Sequence, residues 1–210
     1  MGYSDSDDGP GGPWAFAAPT AVKILIAGGF GVGKTTMVGA VSEVEPLRTE
    51  EYLTAASVGV DDIGLVEEKV TTTVALDFGR ITIGSALVVY LFGTPGQERF
   101  WFMWDDLVHG ALGAVVLADT RRLEASFGSI DFFESRGTPF VVGVNSFDGR
   151  QDRTEAEVRD ALDLDPRVPI LMGDLRERAV GRDILLALVD VLMADQLPTA
   201  SAGAAPGMRG

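Results

Sequence analysis

Residues Gly28 to Thr36 read G-G-F-G-V-G-K-T-T and directly follow the apolar run Val22 to Ala27. The stretch fits the pattern G-x-x-x-x-G-K-[ST], with Gly28, Gly33, Lys34 and Thr35 at the defined positions, between an expected strand and an expected helix. Glycines let the backbone turn its N–H groups toward phosphate oxygens, Lys34 adds a mobile positive charge, and the Thr35 hydroxyl suits Mg2+. The first turn of the helix offers further unpaired N–H groups to the same anion. Phe30, Gly31, Val32 and Thr36 complete the loop.

A chain of 210 residues with 46% hydrophobic content suits one folded domain with a substantial core. Its 31 acidic and 17 basic residues give a net charge of -14, and no Lys/Arg run compensates, which argues against nonspecific nucleic-acid or anionic-membrane binding. The absence of cysteine excludes disulfides, thiolate chemistry and Cys-linked lipid, and fits a cytoplasmic location. Met1 to Pro13 is acidic and Gly-rich, without the basic-then-apolar pattern of a secretory signal. The apolar runs Ala86–Phe92 and Gly110–Ala118 are too short to cross a bilayer and read as buried strands. His109, the single histidine, has no partner at metal-ligand spacing and is expected at a helix end or on the surface.

Residues 1–19 and 195–210, rich in Gly, Ala, Pro and Ser, are expected to be disordered tails around one domain spanning 20–194. Within it, strands are expected at Ala21–Ala27, Val74–Gly79 and Arg80–Ser85 with a turn around Gly79, Ala86–Phe92, Gly113–Asp119, Phe140–Val144 and Val168–Met172. Helices are expected from Lys34 to Ser42, ending before Pro46, and at Trp101–His109, Leu123–Ser135, Thr154–Leu162 and Gly181–Leu192. Thr154 with Glu157 has the spacing of a capping box. Pro46 to Thr73 is polar and aperiodic, as a functional loop would be. Strands alternating with helices imply a three-layer α/β fold, with ligand-binding loops at the C-terminal strand ends.

A phosphate loop alone leaves ATPases, kinases and GTPases open. Val144–Asp148, V-N-S-F-D, ends a hydrophobic strand and resembles the N-K-x-D guanine motif of Ras-like small GTPases, with Asn145 and Asp148 matching and Ser146 in the Lys position. The resemblance implies that Asp148 reads the guanine N1–H and 2-amino group, and that Asn145 reads the O6/N7 edge and holds the phosphate loop. Gly173, Asp174, Leu175 and Arg176 stand where that family has its S-A-K loop, Leu175 offering its N–H to O6 and Arg176 covering the base. Gly93–Phe100, G-T-P-G-Q-E-R-F, resembles switch II: the Gly96 N–H would contact the gamma phosphate and Gln97 would orient the attacking water. The fold implied is a P-loop NTPase G domain, a mostly parallel six-stranded sheet with one antiparallel edge strand.

Two further positions depart from that family. Gly93 replaces the Asp that holds a Mg2+-bound water, and Asp77 on the preceding strand either reaches the metal shell from the side or stands as a solvated strand-edge carboxylate. By the spacing T-x-x-x-D-F, Thr73 is the switch I metal ligand, with Thr71 and Thr72 as alternatives. Phe30 occupies a position usually held by Gly and would crowd the hydrolysis side. These departures, with P-G-Q in switch II, make Ala21–Leu192 similar to MglA-like GTPases and more so to the ATP/GTP-binding proteins of actinomycete conservons. That likeness implies a roadblock/LC7-type regulator and a sensor-kinase-like membrane protein as partners, so membrane association would come through them. Thr72 stands where MglA proteins carry a self-supplied Arg. A slow GTP-hydrolysing switch is therefore expected, with catalytic Gln97, Lys34 and Thr73 and metal ligands Thr35, Thr73 and Asp77. A nucleotide-binding scaffold with little turnover is the alternative, and an ATPase or kinase is disfavoured by Asn145, Asp148 and Leu175. Phe100, Trp101, Phe102 and Trp104 are either a partner surface or core.

Overall fold

The structure, a computed structural model, describes residues 18–45, 47–54, 71–147 and 152–196, with only the backbone given at 47–54, 71–75, 98, 195 and 196. The expectations for both tails, most of the switch I segment and Asp148 lie outside the described residues.

The elements in chain order are β1 (Thr20–Gly28), α1 (Lys34–Val41), β2 (Leu47–Thr54), β3 (Thr71–Ile83), β4 (Leu87–Gly93), α2 (Trp104–Val108), β5 (Ala111–Asp119), α3 (Phe127–Arg136), β6 (Phe140–Asn145), α4 (Glu155–Ala161), β7 (Ile170–Gly173) and α5 (Arg178–Gln196). One sheet runs β2-β3-β4-β1-β5-β6-β7. Pairings are parallel from β4 through β1, β5 and β6 to β7, and β3 is antiparallel to both its neighbours. The six strands from β3 to β7 are the mostly parallel sheet expected, with β3 the one reversed strand. β2 adds a seventh at the edge, in a segment whose polar sequence carries no strand pattern.

Alternation along the central strands divides the core. Leu25 and Ala27 face one cluster with Trp104, Ile130, Phe133, Val158 and Leu162, while Ile24 and Ile26 face another with Met37, Val38, Val41, Ile184 and Leu188. Helices α2, α3 and α4 thus cover one face, and α1 and α5 the other. Because both faces are covered, β5 and β6 are buried almost throughout, as their uniformly apolar sequences require.

β3 is one continuous strand, which corrects the expected turn at Gly79. A Cβ at Gly79 would lie 2.7 Å from Val38 Cγ1 and 3.3 Å from Ser42 Cβ, so the glycine permits close approach to α1. The chain turns instead at Gly84, with φ +60°. α1 ends before Pro46, and Ser42 and Glu43 tie its end to β3: the Arg80 N–H donates to Ser42 Oγ at 3.1 Å and the Glu43 N–H to the Arg80 carbonyl at 2.9 Å.

Helix ends follow their local chemistry. Gly137, at φ 61°, stops α3 with N–H bonds from Gly137 and Thr138 to the Glu134 and Phe133 carbonyls. Thr154 and Glu157 form the expected capping box of α4. His109 lies exposed just beyond α2, its carbonyl accepting from Lys23 Nζ at 3.2 Å. No helix among the described residues is long and apolar enough to cross a membrane.

Candidate functional site

The turn from β1 to α1 can close only with glycine. Gly28 and Gly33 have φ +132° and +114°, and a Cβ at Gly28 would lie 2.4 Å from the Leu117 carbonyl oxygen. Lys34 leads into α1 and donates to the Gly28 and Gly29 carbonyls at 2.9 and 2.8 Å. Burial pushes its pKa down to about 8, with the Asp77 carboxylate acting in the opposite direction.

Thr35, one residue on, donates its hydroxyl to Asp77 Oδ2 at 2.6 Å. A Cβ built on Gly93 would lie 3.0 Å from Asp77 Cβ and 3.1 Å from Oδ2. The carboxylate from β3 therefore fills the space a side chain at 93 would enter. The α1–β3 clasp makes this possible: Ser42 and Glu43 bind β3 at one end, Gly79 lies against Val38 in the middle, and Thr35 meets Asp77 at the other. The two hard oxygens suit Mg2+, which ordinarily takes few protein ligands and fills its octahedron with phosphate and water. The Thr71, Thr72 and Thr73 side chains lie outside the described residues.

A cleft of about 510 Å3 opens here, lined by Lys34, Thr35, Thr36, Asp77, Gly96 and Gln97, with Phe30 and Gly31 at its rim. Trp104 fixes its far wall. Its indole N–H donates to the Pro95 carbonyl at 3.3 Å, and its ring is buried against Phe132 and Phe133. Gly96 consequently passes close over the phosphate loop: a Cβ there would lie 3.0 Å from both the Gly29 carbonyl carbon and Phe30 Cα. Phe30 itself is 69% exposed. Of the four aromatics open to either reading, Phe100 and Trp104 are core residues, whereas Trp101 and Phe102 are 39% and 64% exposed. Thr94 Oγ1 is buried beside the cleft without a partner among the described residues.

At the other end of the site, Asn145 Nδ2 donates to the Val32 carbonyl at 3.0 Å, and Asn145 Oδ1 accepts the Leu175 N–H at 3.3 Å. One buried amide thus joins the phosphate loop, the end of β6 and the loop after β7. The Leu175 N–H is directed at Asn145, and its side chain is fully buried. Ser146 donates its N–H to the Gly173 carbonyl at 2.8 Å, and its buried hydroxyl has no partner among the described residues. Arg176 chelates Asp174 with contacts of 2.6 to 3.0 Å, and these hydrogen bonds hold the Asp174 pKa below its ordinary value.

Three residues not singled out from sequence complete the surroundings. Asp119, 3% exposed at the end of β5, accepts the Arg121 N–H and Nε at 2.9 Å and Nη2 at 2.7 Å, and these bonds lower its pKa. Arg122 Nη2 donates to the Phe30 carbonyl at 3.2 Å. The visible signal was D-T-R-R at the end of an apolar strand, a carboxylate and two cations where the strand enters the site.

A strand–glycine loop–helix unit with Lys34 and Thr35, on a mostly parallel sheet with one reversed strand, defines the P-loop NTPase fold of the G-domain type. The chain belongs to the family described as "Conserved hypothetical ATP binding protein", whose sequence profile matches residues 26–195. It is 33% identical over 129 residues to the uncharacterized protein MJ1339 of Methanocaldococcus jannaschii, covering 60% of this chain and 71% of that one. Among solved structures it is similar to the cytosolic domain of the T. maritima FeoB iron transporter in a GDP form, with TM-score 0.58 and 15% identity over 85% of this chain and 66% of that one. It thus spans just under two thirds of that domain's length. The FeoB G domain of Methanococcus jannaschii is similar at TM-score 0.55 and 13% identity, covering 82% of this chain and 98% of that domain. These structural likenesses concern the fold.

Proposed function

We propose that the protein binds guanine nucleotide with Mg2+ and acts as a switch that hydrolyses GTP slowly. The observation that carries this reading is the Asn145 amide, bonded at once to the phosphate loop and the loop after β7. That arrangement leaves the second Nδ2 proton of Asn145 as a donor at the base end, while the Leu175 N–H is held by Asn145 Oδ1. Donors match the O6 and N7 acceptors of guanine, while the N6 amino group of adenine is itself a donor. By the resemblance, Asp148 reads the remaining edge of guanine and Arg176 covers it. The family description speaks of ATP, so adenine is the competing ligand.

Thr35 and Asp77 are the residues that would hold Mg2+, with Thr73 as the further ligand the resemblance implies. Bound there, the metal would neutralise charge on the transferred phosphoryl group. Lys34 pairs with phosphate oxygens, backbone N–H groups of residues 31–36 surround them, the Gly96 N–H meets the gamma phosphate, and Gln97 orients water. Slow turnover rests on the expected crowding by Phe30, whose backbone lies close under Gly96. The same crowding favours the second reading, a scaffold with negligible hydrolysis. Trp101 and Phe102, exposed just after Gln97, are the apolar side chains open to a roadblock/LC7 regulator. A sensor-kinase-like membrane complex is the further partner the resemblance implies.

Competition between fluorescent GTP and ATP, with and without Mg2+, tests the reading. GTP should bind at least about ten-fold more tightly than ATP, a difference of about 1.4 kcal/mol. Asp77→Ala should erase the Mg2+ dependence, and Asp148→Asn should shift preference toward xanthosine triphosphate. Preference for ATP, or an Asp148→Asn protein that still selects guanine, contradicts the base assignment. Phosphate release with a roadblock partner separates a slow switch from a scaffold.

A further inference from the structure

The Asp119 carboxylate is almost wholly buried and lies across from Asn145 in the β5–β6 register. Two arginines lie beside it. Arg121 binds both its oxygens and stacks its guanidinium over the Phe147 ring, with Cζ 3.7 Å from the centroid. Phe147 belongs to the N-S-F-D stretch, between Asn145 and Asp148. Arg122 Nη2 lies 3.9 Å from Asp119 Oδ2 and donates to the Phe30 carbonyl at 3.2 Å.

The bond to Phe30 has a directional consequence. The Phe30 carbonyl and the Gly31 N–H belong to one planar trans peptide, so they point opposite ways. Holding that carbonyl on Arg122 aims the Gly31 N–H the opposite way, and Gly31 lines the cleft. Gly31, at φ +75° and without a side chain, would otherwise let this peptide turn at little cost. Arg121 acts on the other loop in the same manner. A planar guanidinium, fixed by a buried carboxylate, lies on Phe147 and limits where that loop can go.

We infer that Arg121 and Arg122, anchored on the single carboxylate of Asp119, are positioning residues that divide nucleotide recognition between them. Arg122 aims the phosphate loop and so sets affinity for any nucleoside triphosphate, whereas Arg121 positions the base loop and so sets preference among bases. This division rests on the nucleotide-binding reading of the site.

Equilibrium binding of fluorescent GTP and ATP to the full chain, wild type and Arg121→Ala, Arg122→Ala and Arg122→Lys, tests the division. Arg122→Ala should weaken GTP and ATP together by about ten-fold and leave their ratio unchanged, as loss of a charged hydrogen bond would. Arg122→Lys should recover most of that affinity, since an ammonium also donates to a carbonyl. Arg121→Ala should move the GTP:ATP ratio toward unity by about ten-fold. The ratio of two ligands on one variant is insensitive to the fraction folded, so reduced stability does not obscure the result. An unchanged ratio in Arg121→Ala, a changed ratio in Arg122→Ala, or no recovery by Lys overturns the inference while wild-type binding still supports the proposed function. Absence of triphosphate binding by the wild type overturns both. A wild type that prefers ATP overturns only the guanine assignment, and the two arginines are then judged by the same ratio.

Discussion

Lys34 shows how one side chain can carry two opposed demands. Its ammonium must be charged to meet phosphate, yet it lies buried on two backbone carbonyls with its pKa brought down to about 8. A phosphate beside it favours the charged form and raises that value again. Above about pH 8 the complex therefore holds more protons than the free protein, and nucleotide affinity falls as pH rises through that value. Calorimetry in buffers of different ionisation enthalpy should show proton uptake on binding near about pH 9 and almost none near about pH 7. Equal uptake at both would show that Lys34 does not meet the phosphate. The folding linkage has the opposite slope: a free Lys titrates at 10.5, so the burial penalty is full below about 8 and fades between about 8 and 10.5. The identity of Lys34 was legible because motif spacing fixes it. Its depressed pKa was not, because desolvation comes from segments distant in sequence such as Pro95–Gln97.

The pairing of α1 with β3 decides where Asp77 lies. Nothing in the local sequence distinguishes a carboxylate at a solvated edge from one turned to Thr35. The distinction arises because β2 covers β3, and because Ser42, Glu43 and Gly79 hold β3 along the length of α1. Gly79→Val should therefore destabilise the fold by about 1–3 kcal/mol through overpacking against Val38. Gly84→Asn, at a turn with nothing near the new Cβ, should change stability by less than about 1 kcal/mol, because Asn tolerates the left-handed conformation. Denaturant melts of the two variants distinguish close approach at Gly79 from a turn there. Local pattern also placed the α4 capping box and the end of α1, since both depend on residues a few positions apart. It missed β2, whose polar residues pair with β3 only after the chain has returned over the intervening segment.

At the scale of the molecule, two apolar clusters share one sheet, so neither helical layer can leave without exposing the strands the other also covers. Thermal unfolding should be a single transition. Mg2+ and GTP at about a hundred times Kd should add about 2.7 kcal/mol, raising the midpoint by roughly 5–10 °C. Two transitions, or a midpoint indifferent to nucleotide, would contradict this account. Net charge of -14 does not prevent anion binding, because Lys34, Arg99, Arg121 and Arg122 gather on the side where the C-terminal strand ends converge.

The sequence by itself determined the strand–loop–helix unit around Gly28–Thr36, the buried parallel strands and the order of layers, because each depends on short spacings and on apolar periodicity. Tertiary structure alone decided that Asp77 fills the space beside Gly93, that Phe100 and Trp104 are core while Trp101 and Phe102 face outward, and that Arg121 and Arg122 meet at Asp119. Those outcomes depend on which distant backbones approach within a few ångströms, and approach is set by packing across the whole sheet.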